Sequence, residues 1–318
     1  MKLDIISFYD LNDTKNIDAL TNLKTALLQK GIVGIRDVPA FENKSRAYIK
    51  AARMFAKLHE SVKQKYAPNR DCGDTEGYEL GAEWFKNKDG VWQVDDKKAS
   101  FYAFVPDHVR NKWPLEVDLQ TPYLELGELI FNTGKMLLNI IGLNDHVGLE
   151  HNKLVGYGRM LHYDKESDIT NENPNWCGAH LDHGVFTGLI PAYYFREGVE
   201  INEPDEAGLY IVPSDGDQFE KINSSEKEIL LFQVGEFGQL ISDDRIKATK
   251  HRVRKAKGEI ERFTFALFYS ADDHTIIKSN SKLTQDERYK LNQFADGSIS
   301  YAKWQKASFD RYRAIREK

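Results

Sequence analysis

The chain has only two cysteines, Cys72 and Cys177, in 318 residues. Two thiols cannot build a disulfide framework, and their spacing matches no zinc-ligand motif, so the expectation is a fold held by burial in a reducing compartment. Proline is also scarce, at nine residues. No proline- or glycine-rich run suggests a linker, and no internal repeat is visible. An excess of one charge sign is missing as well, because 44 Lys and Arg against 49 Asp and Glu, mixed along the chain, leave a net −5. Such a surface lacks the basic footprint that phosphate backbones or anionic lipids require, so neither nucleic acid nor membrane is an expected partner. No apolar run approaches the roughly 18 residues of a membrane span, and the opening MKLDIISFYD has no basic segment ahead of an apolar core. The composition predicts an ordinary globular protein, cytoplasmic by default, and a monomer or weak homo-oligomer is expected.

What is present suffices for a sizeable core: 41% of residues are hydrophobic and 29% charged. The first half reads as mainly helical. A short strand at Ile5–Ser7 precedes a helix over Thr14–Lys30, where Ile17, Leu20, Leu23 and Leu27 recur at helical spacing and Gly31 supplies the stop. A strand at Ile32–Ile35 follows, then a helix from Lys44 to Tyr66 and another opening at Thr121-Pro122 and ending before Gly142. Between them, Tyr78, Trp84, Phe85, Trp92 and Tyr102 lie in what reads as an irregular stretch. After about residue 153 the texture turns to short β-type runs: Leu154–Tyr163, Gly184–Leu189, Leu209–Val212, Ile229–Val234, Gln239–Ile241, Lys250–Arg254 and Arg262–Tyr269. A last helical pattern covers Ser300–Arg316. The expected class is mainly β with α, a barrel or sandwich core with helices outside. It divides into an N-terminal module over 1–150, a β core over 151–285 and a helical segment over 286–318.

In the β-rich half, His180 and Asp182 sit two residues apart, so an extended backbone would point an imidazole and a carboxylate to one face. His251 offers a second imidazole from another β-type run. Two His and one carboxylate on one face of a metal leave adjacent positions free, the arrangement of non-haem iron(II) sites that activate dioxygen. The H-x-D pair alone is a weak signal, and it occurs twice, since His162-Tyr163-Asp164 has it too. Context separates the two. His180 is followed by Gly184, Phe186 and Thr187, and His251 is followed by Arg262 and Thr264. On a strand, Arg262, Thr264, Ala266 and Phe268 share one face, with Phe263, Phe265, Leu267 and Tyr269 on the other. A guanidinium beside a hydroxyl on a largely apolar face forms a fork for a carboxylate.

These residues resemble the isopenicillin N synthase-like family of 2-oxoglutarate and iron(II) dependent oxygenases. The family's H-x-D-x-G/S-x-(L/F)-T segment is matched by His180, Asp182, Gly184, Phe186 and Thr187. Its later V-G-D...Q...S...K-S/A...H-R-V stretch is matched by Val234, Gly235, Gln239, Ser242, Lys247, Ala248, His251, Arg252 and Val253, with Glu236 in place of the common Asp. The resemblance extends over nearly the whole chain. It implies a distorted double-stranded β-helix, or jelly roll, with an N-terminal α/β module and flanking helices. It also implies a dioxygenase whose iron(II) is held by His180, Asp182 and His251. O2 and 2-oxoglutarate would be consumed to give succinate and CO2 as a small molecule is hydroxylated, desaturated or cyclised. Arg262 and Thr264, with Tyr163, would hold the cosubstrate. Two departures stand out: Thr264 replaces the usual Ser of Arg-x-Ser, and Leu161 replaces the usual Asn of the Arg159–Asp164 strand. His162, Tyr78 and Phe186 are the expected substrate contacts. A 2-oxoglutarate-independent iron oxidase and a non-catalytic binding protein on the same barrel are the alternatives.

Overall fold

The computed structural model describes residues 1–86, 89–143, 154–165, 174–213, 216–222 and 226–314. Two sheets face each other in a jelly-roll arrangement. The large one runs in the order Ile5–Ser7, Ile32–Arg36, Leu230–Val234, Phe186–Leu189, Glu261–Ala271, Leu154–Tyr163, Lys98–Val105, Gly77–Leu80, with Tyr193–Arg196 also on Glu261–Ala271 and Val199–Ile201 beyond it. The smaller sheet has the order Glu220–Lys221, Gly208–Ile211, His251–Arg254, Asn175–His180. The long strand Glu261–Ala271 organises the rest. One face of it, Phe263, Phe265, Leu267 and Tyr269, is buried in the outer core beneath the helices Phe41–Ala56 and Gln120–Ile140. Phe265 meets Tyr48 and Tyr123 edge-on at 5.0 and 4.9 Å, and burying such a ring contributes on the order of 1.5–3 kcal/mol. The helix Gln120–Ile140 comes this close because Gly134 faces Tyr269, whose hydroxyl would lie 2.2 Å from any added Cβ. The other face, with Arg262, Thr264, Ala266 and Phe268, lines a cavity between the sheets. An inner cluster including Leu161, Trp176, Tyr194, Leu209 and Val253 packs there.

Several sequence expectations need correction. The Gln239–Ile241 run is part of a helix, Glu236–Ile241. Its first amides donate to the carbonyls of Asp182 and Gly184, so tertiary contacts override a run too short to define a period. The expected helix Lys44–Tyr66 is broken after Ala56 and restarts at Glu60, where His59 caps it. The stretch read as irregular holds the strands Gly77–Leu80, Trp84–Lys86, Trp92–Val94 and Lys98–Val105. Strands thus come from both sides of residue 150 into one sheet; the 150/151 boundary itself falls outside the described residues, as does the end of the last helix, described as Tyr301–Ala314. No helix among the described residues is long and apolar enough to cross a membrane.

Candidate metal centre

His180 ends the Asn175–His180 strand, and its direct cross-strand partner is His251. That register sets the two imidazoles side by side, with ring centroids 4.2 Å apart. Each Nδ1 lies against a backbone carbonyl two residues earlier, His180 on Gly178 at 2.8 Å and His251 on Thr249 at 3.0 Å. A ring that donates from Nδ1 presents Nε2 as a lone-pair donor. Both Nε2 atoms face the same carboxylate oxygen, Asp182 Oδ1, at 3.5 and 3.9 Å. Donor atoms at right angles around an ion with bonds of about 2.1 Å are roughly 3 Å apart, so a small inward movement would close the trio on a metal. Thr187 Oγ1 donates to the remaining oxygen, Asp182 Oδ2, at 2.6 Å.

Charge favours the ligating forms of Asp182 and His251; at His180 burial acts downward, but Cys177 and Asp182 outweigh it and hold the imidazole well above its ordinary value. Burial alone would raise the Asp182 carboxyl, but His251, His180 and the Thr187 hydroxyl outweigh it and hold the group far below its ordinary value. Burial, then neighbouring His180, pushes His251 down to about 4, which keeps that imidazole neutral at neutral pH. Asp182 and His251 are buried while His180 is half-buried, so the site opens on the His180 side. The backbone around it is tightly packed: a Cβ on Gly235 would meet the Gly184 carbonyl at 2.2 Å.

Arg262 lies on the same cavity wall, its guanidinium 5.1 Å from the ring of Tyr163, its cross-strand partner. Although Arg262 is only 6% exposed, its Nε and Nη1 have no hydrogen-bond partner among the described residues. Buried guanidinium donors left unpaired are costly, and a carboxylate is their natural complement. Thr264 also lines the cavity, but its hydroxyl donates to the Ile190 carbonyl at 3.0 Å. Its one proton is thus engaged, and Arg262 carries most of the fork.

The expected substrate contacts lie elsewhere. Phe186 and Tyr78 are packed in the outer core, and Tyr78 donates to Glu60 at 3.1 Å. His162 points to the face opposite Tyr163, stacked on Phe263 at 4.3 Å with Nε2 3.4 Å from Glu261. Sequence reading missed Gln233, wholly buried, whose amide nitrogen lies 2.6 Å from His251 Nδ1 and 3.4 Å from Asp182 Oδ2. The available signal was a lone amide in the apolar run Leu230–Val234. Also missed were Lys98 and Glu83 beside Arg159; the alternation of Lys98, Ser100 and Tyr102 on one face of their strand could have flagged the lysine.

No protein-family model matches the sequence, and no curated protein matches it. Solved structures do. The fold they share is that of the 2-oxoglutarate and iron(II) oxygenases. A protein from Caulobacter crescentus described as belonging to the 2OG-Fe(II) oxygenase family is 20% identical, with 98% of this chain and 99% of that chain covered at a TM-score of 0.73. A full-length Neurospora crassa protein, solved in complex with alpha-KG and thymine, is 17% identical, with 97% of each chain covered at 0.70. JOX2, in complex with 2OG, Fe and JA, is 17% identical, with 99% of this chain and 85% of that one covered at 0.67.

Proposed function

We propose that the protein is a non-haem iron(II), 2-oxoglutarate-dependent dioxygenase acting on a small molecule. His180, Asp182 and His251 hold the metal, and Arg262 holds the distal carboxylate of the cosubstrate. The observation that carries this reading is the pair of orphaned guanidinium donors on Arg262, in the cavity that the three candidate ligands share. A metal trio alone would suit many chemistries. The trio together with a buried cation that keeps two unpaired donors suits a ligand that chelates a metal at one end and carries a carboxylate at the other. When bound, the iron and cosubstrate supply the oxidising power of dioxygen. The chain orients them: Thr187 and Gln233 fix the free oxygen of Asp182, and Tyr163 supports the Arg262 plane. Apolar residues of both sheets keep the cavity dry.

The test is succinate formation against 2-oxoglutarate concentration, with iron occupancy checked in each variant. Arg262→Gln is expected to leave iron bound yet raise the requirement for 2-oxoglutarate more than about tenfold, since a charge-assisted bond shielded from water contributes roughly 1.5–3 kcal/mol. Thr264→Val is expected to act in the same direction and less, because the Thr264 hydroxyl already serves Ile190. Equal dependence in all three proteins would remove Arg262 from cosubstrate binding. Oxygen consumption by iron-loaded protein without succinate would favour a 2-oxoglutarate-independent oxidase instead.

A further inference from the structure

The cavity has a second cationic corner. Strand Lys98–Val105 pairs with Leu154–Tyr163, which pairs with Glu261–Ala271, and the register sets rows of neighbours: Lys98, Tyr163 and Arg262; Ser100, Leu161 and Thr264; Tyr102, Arg159 and Ala266. Side chains alternate along strands, so these rows share one face of the sheet. Lys98 and Arg159 both line the cavity. Lys98 is 3% exposed, and two strand spacings put its backbone about 10 Å from that of Arg262.

Both cations turn to one acid. Glu83 accepts from Arg159 Nη2 at 2.7 Å and from Lys98 Nζ through its other oxygen, while Arg159 Nε donates to Ser100 Oγ at 3.0 Å. One carboxylate between two buried cations leaves one positive charge unbalanced, and buried charge is costly without a partner. Among the described residues lining the cavity, no other group offers balance while the Cys177 thiol keeps its proton. A divalent metal, Asp182, Arg262 and a doubly negative 2-oxoglutarate cancel among themselves. Glu203 is committed to Lys221 at 3.0 Å and to the Tyr194 hydroxyl at 2.8 Å. Between the Lys98–Arg159 corner and Arg262 stand the ring of Tyr163, 5.3 Å from Lys98 Nζ and 5.1 Å from the Arg262 guanidinium, and the apolar Leu161.

We propose that the substrate is a monocarboxylate with an apolar body, its carboxylate seated on Lys98 and Arg159. The inference rests on the proposed placement of the cosubstrate at Arg262. It makes Lys98, Arg159 and Glu83 the residues that set specificity, with Glu83 holding the two cations in place and tempering their pull on anions.

The test is calorimetric titration of protein loaded anaerobically with iron(II) and 2-oxoglutarate, using phenylacetate against phenylacetamide and octanoate against octanamide. Each acid is expected to bind at least about tenfold more tightly than its amide, as a charge-assisted pair shielded from water gives. Lys98→Gln and Arg159→Gln should bring the acid down to the amide, and Lys98→Arg should restore the preference. Glu83→Gln, which frees both cations, should tighten acid binding further and gives a second arm if the lysine variant does not fold. No acid preference in the parent protein overturns the proposal, and needs no variant to fold; ionised Cys177 supplying the missing charge would produce that result. A parent that takes up 2-oxoglutarate but treats acid and amide alike sinks this inference alone. A parent that binds no 2-oxoglutarate sinks the proposed function, and acid binding that then depends on Arg262 rather than Lys98 would sink this one with it.

Discussion

The two oxygens of the Asp182 carboxylate have different neighbours, the two imidazoles on Oδ1 and the Thr187 hydroxyl on Oδ2. That division leaves one oxygen to ligate and uses the other to fix the plane. Replacing His180, Asp182 or His251 with Ala is therefore expected to abolish stable iron retention, measured by metal analysis after desalting, whereas His162→Ala should retain it. Iron lost from the His162 variant and kept in the His180 variant would reverse the assignment of the two H-x-D pairs. Gln233→Leu keeps the volume of the side chain and removes its donation to Asp182 Oδ2, 3.4 Å away. An outer hydrogen bond of this kind is worth about 10–100-fold in metal affinity, and unchanged affinity would reduce Gln233 to core filling. Of the candidate ligands, His180 and Asp182 were legible from the sequence because H-x-D is local, and His251 through the motif around it. Gln233 and Lys98 were not, because their partners come from strands distant in the chain and only the register brings them together.

At the scale of elements, the short helix Glu236–Ile241 ties the metal segment to the C-terminal part of the chain. Glu236 N donates to the Asp182 carbonyl at 2.7 Å, and its carboxylate receives Arg288 Nη1 and Nη2 at 2.6 and 2.7 Å. Arg288 in turn lies 4.4 Å from the Trp304 ring, and both ions of the pair are buried. Arg288→Ala leaves the buried Glu236 carboxylate with His183, 3.2 Å away, in place of a bidentate guanidinium, so a loss of up to about 3–5 kcal/mol in unfolding free energy is expected from denaturant titration. A loss under about 1 kcal/mol, the ordinary range for surface pairs, would show the link to be dispensable. Asp286 adds a pH dependence. Burial opposes its ionisation, but Arg288 and then Arg311 outweigh this and lower the carboxyl to about 2. Its folded value is thus below the unfolded value of about 3.9, so its contribution is present above about pH 4 and lost as pH falls toward 2. Denaturation of the parent and Asp286→Asn at pH 5 and pH 3 should show the gap between them narrowing in acid. A constant gap would contradict the assignment. This clamp was invisible in the sequence, where Gln239–Ile241 reads as a strand, since what makes it a helix is the Asp182 and Gly184 carbonyls waiting for its amides.

Over the whole molecule, alternation in Glu261–Ala271 was enough to predict which side chains share each face, because Arg262 and Thr264 mark one side of a strand that is otherwise largely apolar. Alternation could not show that the stretch holding Tyr78 and Tyr102 adds strands to the same sheet, or that Phe186 packs outward, since a fully buried strand carries no polar side to mark its orientation. The sheets together form a cavity lined by the candidate metal trio, Arg262, Lys98 and Arg159. The functional reading stands or falls on whether the trio and Arg262 act on one ligand. Anaerobic titration of iron(II)-loaded protein with 2-oxoglutarate, followed by the visible metal-to-ligand charge-transfer absorption, decides it. The expected result is a band that saturates at one cosubstrate per iron, needs much more 2-oxoglutarate in Arg262→Gln and is absent in Asp182→Ala. Iron bound by the parent with no band at any 2-oxoglutarate concentration would contradict it.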